Sequence, residues 1–133
     1  MEEEIPFNRE LGIRVAELGS GRAVFRVAFR PGLIGDPNRP ALHGGVISAV
    51  LDAAGGAAVW SAIGPSDRCS TIDLRVDYLR PGRAADFSAI AEVLRVGNRV
   101  GVTSMRLVHD DEPAVVIAEA KGVYSVLRVP GER

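Results

Sequence analysis

A chain of 133 residues is the size of one compact domain, and its 47% hydrophobic and 25% charged residues are those of an ordinary folded protein. A net charge of −1 offers no basic surface for nucleic acid or an anionic membrane. One cysteine (Cys69) and two dispersed histidines (His43, His109) exclude an internal disulfide and leave no spacing for a zinc site. The acidic start MEEEIPF does not resemble a secretory signal. The longest apolar stretch, about residues 45–63, carries Asp52 and several glycines and is a poor membrane span. A single cytoplasmic domain over residues 1–133 is expected, with no metal, no cofactor, no membrane and no nucleic-acid partner.

Residues 11–18 and 22–29 read as two strands around Gly19-Ser20-Gly21. The second alternates Ala23, Phe25, Val27 and Phe29 against Arg22, Val24, Arg26 and Ala28. A loop rich in Pro, Gly, Asp and Asn follows over residues 31–40. From about His43 to Ile63 the chain is too long and too rich in alanine for a strand, and a helix is expected, ended by Gly64-Pro65. Its apolar residues lie around most of the circumference, so it should be buried on nearly every side. Gly55-Gly56 inside it points to close approach of another backbone. Beyond it the period changes to two. Ile72, Leu74, Val76 and Tyr78 face one way, and Thr71, Asp73, Arg75 and Asp77 the other. Three more strands are expected at about 84–96, 99–109 and 113–127, with short turns implying antiparallel neighbours. The sum is an α+β fold in which one sheet curls around one helix and a second copy covers what remains.

Between Arg39 and Asp67 the only formally charged side chain is Asp52. A carboxylate in a buried helix is costly unless it is paired, lies on an exposed strip, or serves chemistry. At the start of the same helix, Gly44-Gly45 leaves backbone N–H groups uncovered by side chains at the positive end of the helix dipole, where an oxyanion can form. Gly44 and Asp52 are eight residues apart, about 12 Å along the axis and about 80° around it. One chain cannot place both on one carbonyl, whereas two antiparallel helices from two chains can.

His43-Gly44-Gly45, the later Asp52 and the segment Tyr78-Leu79-Arg80-Pro81 together resemble the hotdog-fold thioesterases of the phenylacetate-degradation type. The likeness extends over nearly the whole chain, including the opening Leu11-Gly12-Ile13. It implies an antiparallel sheet wrapped around one long central helix, homodimers or dimer-of-dimers tetramers, and hydrolysis of an acyl- or aryl-CoA. Carried over, the Gly44 N–H polarises the thioester carbonyl and Asp52 of the other chain acts as nucleophile or general base, with His43 and Gly45 beside it. Relatives carry an Asn or Gln just before the histidine. Asn38 is the candidate here, one residue closer to His43 than in the family pattern, with Asp36 or a loop carbonyl as alternatives. Thr71 matches a Ser or Thr that assists in some relatives. Arg80, Arg83, Arg95 and Arg99 stand at strand ends where coenzyme A phosphates would be met. Two other activities of such a fold are weighed against hydrolysis: acyl-CoA binding without turnover, and enoyl-CoA hydration or dehydration, which needs a differently placed histidine.

Overall fold

The computed structural model describes residue 2 and residues 4–130; residues 1, 3 and 131–133 of the expected domain lie outside the described residues. In chain order the elements are α1 (Pro6–Leu11), β1 (Ile13–Gly19), β2 (Arg22–Val27), a 3-10 turn (Pro31–Leu33), β3 (Ile34–Asp36), β4 (Ala41–Leu42), α2 (Gly44–Trp60), β5 (Arg68–Tyr78), β6 (Phe87–Val96), β7 (Val100–His109) and β8 (Glu112–Leu127). Six strands form one antiparallel sheet in the order β1-β2-β6-β7-β8-β5, and β3-β4 is a separate short ribbon. The expected α+β arrangement, one sheet around one helix, is present. Register shifts in β1, β5, β6 and at the β7-β8 turn supply the extra twist that curls the sheet.

Two expectations need correction. Leu11 does not open a strand. Pro6 starts a short helix that Gly12 ends at φ 74°, and the strand begins at Ile13. The short 79–86 connection does not join neighbours either: β5 pairs with β8 at the sheet edge, while β6 pairs with β2 and β7. Helix α2 carries the chain across the concave face, so β5 enters at the far edge.

The core lies between α2 and the inner sheet face, where Ile47, Val50, Leu51 and Ala54 meet Phe25, Phe87, Met105 and Leu107. Much of this contact is small against small, as Ala57 and Ala58 face a sheet that presents Ala89, Ala91, Ala118 and Ala120. The alanine content thus brings the helix axis close to the sheet. Gly55 completes that approach, although its neighbours are side chains rather than the backbone expected. A Cβ there would overlap the Tyr124 hydroxyl and the Met105 sulfur. The neighbouring Gly56 differs, since a Cβ on it would touch only the Tyr124 ring, at an ordinary 3.5 Å.

Helix α2 is not buried all round. Gly45 and Trp60 are exposed, and Ala49, Asp52, Ala53 and Gly56 are half-buried on the side away from the sheet. Among the described residues no helix is long and apolar enough to cross a membrane.

Asp67 fastens the carboxyl end of the helix to the tail of the chain. Its buried carboxylate accepts the Val129 N–H at 2.8 Å and the Gly64 N–H at 3.0 Å, and pairs with Arg128 at 3.1 Å. Arg128 also donates to the Gly97 carbonyl at 2.9 Å, tying in the β6-β7 turn. The Val129 N–H is the main cause that holds the Asp67 carboxyl below its ordinary value, with Gly64 and Arg128 assisting against the opposing effect of burial. A carboxylate with a depressed folded-state pKa contributes stability above its unfolded value, near 3.8, and loses it as pH falls through the folded one. Asp67→Asn is therefore expected to lower the melting temperature at pH 6 and to flatten its decline below about pH 4. Thermal melts across that range check it, and parallel wild-type and variant curves would refute it.

Candidate active site

Asp52 sits in the middle of α2 on the face turned from the sheet core, at the wall of a cleft of about 630 Å³ between α2, the first residues of β5 and the α1 segment. Two hydroxyl groups reach it from the sheet. Thr71 Oγ1 donates to Asp52 Oδ1 at 2.8 Å. The Tyr124 hydroxyl lies 2.9 Å from the Asp52 carbonyl oxygen and 3.1 Å from Oδ1, sharing its single hydrogen between them. Both side-chain contacts fall on Oδ1. Among the described residues Oδ2 has no hydrogen-bond partner, so one carboxylate oxygen is anchored and the other is available for chemistry.

Local strand structure brings Thr71 here. Simple alternation set Thr71 on the face opposite Leu74. A bulge between Thr71 and Asp73 absorbs Ile72, leaving it 59% exposed, and puts Thr71 and Leu74 on the same inner face. Thr71 then stands opposite Tyr124, and Leu74 opposite Gly122. Burial first, then the negative charge of Asp52, pushes the Tyr124 phenol well above its ordinary value, so it remains a donor. Cys69 lies on the same face, its thiol raised by burial and by Asp52, and donates weakly to the Gly56 carbonyl at 3.5 Å.

At the other end of the helix, His43 is the N-cap. Its backbone is extended (φ −61°, ψ 131°), and its Nδ1 accepts the Gly45 N–H at 2.8 Å, which fixes the tautomer with hydrogen on Nε2. The Gly45 N–H is thereby engaged within the chain. The Gly44 N–H has no partner among the described residues, while the Gly44 carbonyl accepts the Tyr78 hydroxyl at 3.0 Å. Of the two glycines, Gly44 is the one with a donor to offer.

The remaining candidates do not gather at one place. Asn38 is exposed, outside the cleft, with its backbone N–H on Asp36 Oδ1 at 3.0 Å. Asp36 is itself engaged in that turn, where the Arg39 N–H, then the Asn38 N–H, hold its carboxyl below the ordinary range. Arg80 donates to the Val116 carbonyl. Arg83 pairs with Asp111 at 2.7 Å, and its N–H is taken by His109 Nε2 at 2.9 Å, which gives the buried His109 a structural place. Arg80 and Arg83 follow Tyr78 at the Gly44 end of α2. Arg95 and Arg99 flank the β6-β7 turn near its carboxyl end, without side-chain partners among the described residues. Tyr124 and Arg68, which also lines the cleft, escaped the sequence reading. Tyr124 carried a signal: it continues the inner-face alternation Ala118, Ala120, Gly122, and a buried phenol needs an acceptor.

The thioesterase superfamily matches the chain over residues 40–116. The medium/long-chain acyl-CoA thioesterase YigI of Salmonella typhimurium is 37% identical, over 92% of this chain and 86% of that protein. A Shewanella oneidensis structure related to the thioesterase superfamily is 34% identical with a TM-score of 0.82, covering 92% of this chain and 88% of the other. The PaaI protein of the Escherichia coli phenylacetic acid degradation operon, 24% identical, shares the fold at a TM-score of 0.83 over 99% of this chain and 90% of its own. The chain therefore belongs to the thioesterase superfamily, a thioester hydrolase with the hotdog fold of the phenylacetate-degradation type.

Proposed function

We propose that the protein hydrolyses acyl-CoA thioesters at a site shared by two copies of the chain, with Asp52 of one protomer and the Gly44 N–H of its partner acting on the same carbonyl. The observation that carries this reading is the half-anchored Asp52 carboxylate: Thr71 and Tyr124 hold Oδ1, and Oδ2 is left for the reaction. YigI, which acts on medium- and long-chain acyl-CoA by its name, supports the substrate class.

On the water route, Oδ2 takes a proton as the water oxygen bonds to the thioester carbon. The carbonyl oxygen becomes an oxyanion on the Gly44 N–H at the positive end of the partner helix. Collapse breaks the carbon–sulfur bond, and the proton passes from Asp52 to the coenzyme A thiolate. On the covalent route, Oδ2 itself bonds to that carbon, the thiolate leaves, and water then cleaves the anhydride. Both routes use the same atoms in the same places. Pairing of two α2 helices with Gly44 of one facing Asp52 of the other would also cover the amino-terminal part of the open face of each, and the free edge of β5 lies alongside. Arg68, which lines the cleft, and Arg95 and Arg99 at the β6-β7 turn have guanidinium groups free, among the described residues, for coenzyme A phosphates.

The test is release of thiol from a panel of acyl-CoAs by wild type, by Asp52→Asn, by Gly44→Pro, and by the two variants mixed after co-refolding. In a shared-site dimer, half of all dimers formed in the mixture pair the two variants, and each of those has one of its two sites intact. About a quarter of wild-type activity returns. A mixture as inactive as its components would refute the shared site. A wild type that binds acyl-CoA without turnover, or that hydrates enoyl-CoA instead, would overturn the reading itself.

Tyr124 positions Asp52 in this scheme. Tyr124→Phe keeps the ring that fills the space beside Gly56 and deletes only the hydroxyl. Hydrogen bonds to charged groups are worth about 1.5–3 kcal/mol, so kcat is expected to fall at least about tenfold, with KM unchanged. An unchanged kcat would assign Tyr124 to packing alone.

A further inference from the structure

Beyond Asp52 the cleft continues along α2 as a stripe of very small side chains. Ala53, Gly56 and Ala57 line it, and Trp60 stands at its far end. Ile5 and Phe7 of the α1 segment form its other wall. Trp60 is 42% exposed, Ile5 45% and Phe7 59%. Single exposed apolar side chains are ordinary, but three around one cleft, next to a reactive carboxylate, mark a place for an apolar ligand.

We infer that this stripe is the acyl channel, that Gly56 keeps it open, and that Trp60 sets its length. The inference rests on the acyl-CoA reading above and specifies its substrate. Asp52 and Trp60 are eight residues apart on one helix, about 12 Å along the axis. An extended chain advances about 1.2 Å per bond, so the channel takes roughly ten bonds and suits acyl groups of about eight to twelve carbons. Gly56 lies halfway, about 6 Å from Asp52. Alanine would be a better helix former there, and its Cβ would make only an ordinary 3.5 Å contact with the Tyr124 ring. Packing against the sheet therefore does not require glycine at 56 as it does at 55. Space in the cleft does.

The experiment measures kcat/KM for saturated acyl-CoAs from butanoyl to hexadecanoyl. Each methylene buried is worth about fourfold. In Gly56→Leu the ratio of dodecanoyl to butanoyl kcat/KM should fall at least about a hundredfold, and Gly56→Ala should move it the same way by less. In Trp60→Ala the ratio of hexadecanoyl to decanoyl should rise about tenfold or more, because the end is opened. Gly56→Ala and Trp60→Ala keep the test decisive if Gly56→Leu does not fold. If every chain length loses activity alike, the coenzyme A arm occupies this stripe and the inference is wrong. Unchanged ratios with an active wild type also overturn it while leaving the acyl-CoA reading intact. A wild type inert toward all acyl-CoAs removes that reading first.

Discussion

Asp52→Asn is expected to lower kcat on acyl-CoA by roughly a thousandfold or more while the fold persists. The amide has the shape of the carboxylate and can still accept from Thr71 and Tyr124 through its one oxygen, so both anchoring contacts survive on the Oδ1 side. Only the second oxygen changes, to an NH2 group that can neither take a proton from water nor attack a carbonyl. Removing a negative charge from a half-buried helix position should leave stability equal or higher. Kinetics and a thermal melt on the same preparation check both halves. Activity within a few-fold of wild type would exclude Asp52 from the chemistry.

Gly44→Pro should cost on the order of a hundred- to a thousandfold in kcat, the usual effect of deleting one oxyanion donor. This substitution isolates the N–H because Gly44 is the first residue of α2, the position where proline is tolerated best. The residue before it already has the extended backbone that a following proline demands, with His43 at ψ 131°. Gly44 is not among the residues with positive φ, and a Cβ there would lie 3.6 Å from the Tyr78 ring, an ordinary distance. Gly44→Ala, which keeps the N–H, is the control and should retain most activity. Equal losses in the two variants would point to crowding of Tyr78 and would take the oxyanion role away from Gly44.

These two predictions concern residues that stand out along the chain. Asp52 is the lone formal charge between Arg39 and Asp67, and Gly44 opens the helix that contains it. Helical geometry alone then separates them by about 12 Å, so joint action on one carbonyl would take a second copy. The supporting parts were much less visible. Alternation placed Thr71 on the wrong face, since a bulge inserts one residue without any compositional mark; Ile72 is a good strand residue whether it is paired or bulged out. Tyr124 lies 72 residues from Asp52 in the chain. Its inward direction could be read from β8, but its partner could not. His43 shows the opposite case. The family resemblance set it beside the reacting groups, and the structure gives its Nδ1 to the Gly45 N–H. The arginines divide because Arg83 found Asp111 across a turn, a pairing that depends on where β6 and β7 meet.

By itself the amino-acid order determined the central helix and the long strands, the single acid in a helix of small apolar residues, and the spacing that keeps Gly44 and Asp52 apart on one helix. Those follow from periodicity, propensity and charge, which act over a few residues. Only the tertiary structure decided that β5 lies at the edge beside β8, that Thr71 and Tyr124 grip the same oxygen of Asp52, and that packing requires glycine at 55 but not at 56. Each of these depends on contacts between residues far apart in the chain, and their energies are set by distances of a few tenths of an ångström that no local pattern encodes.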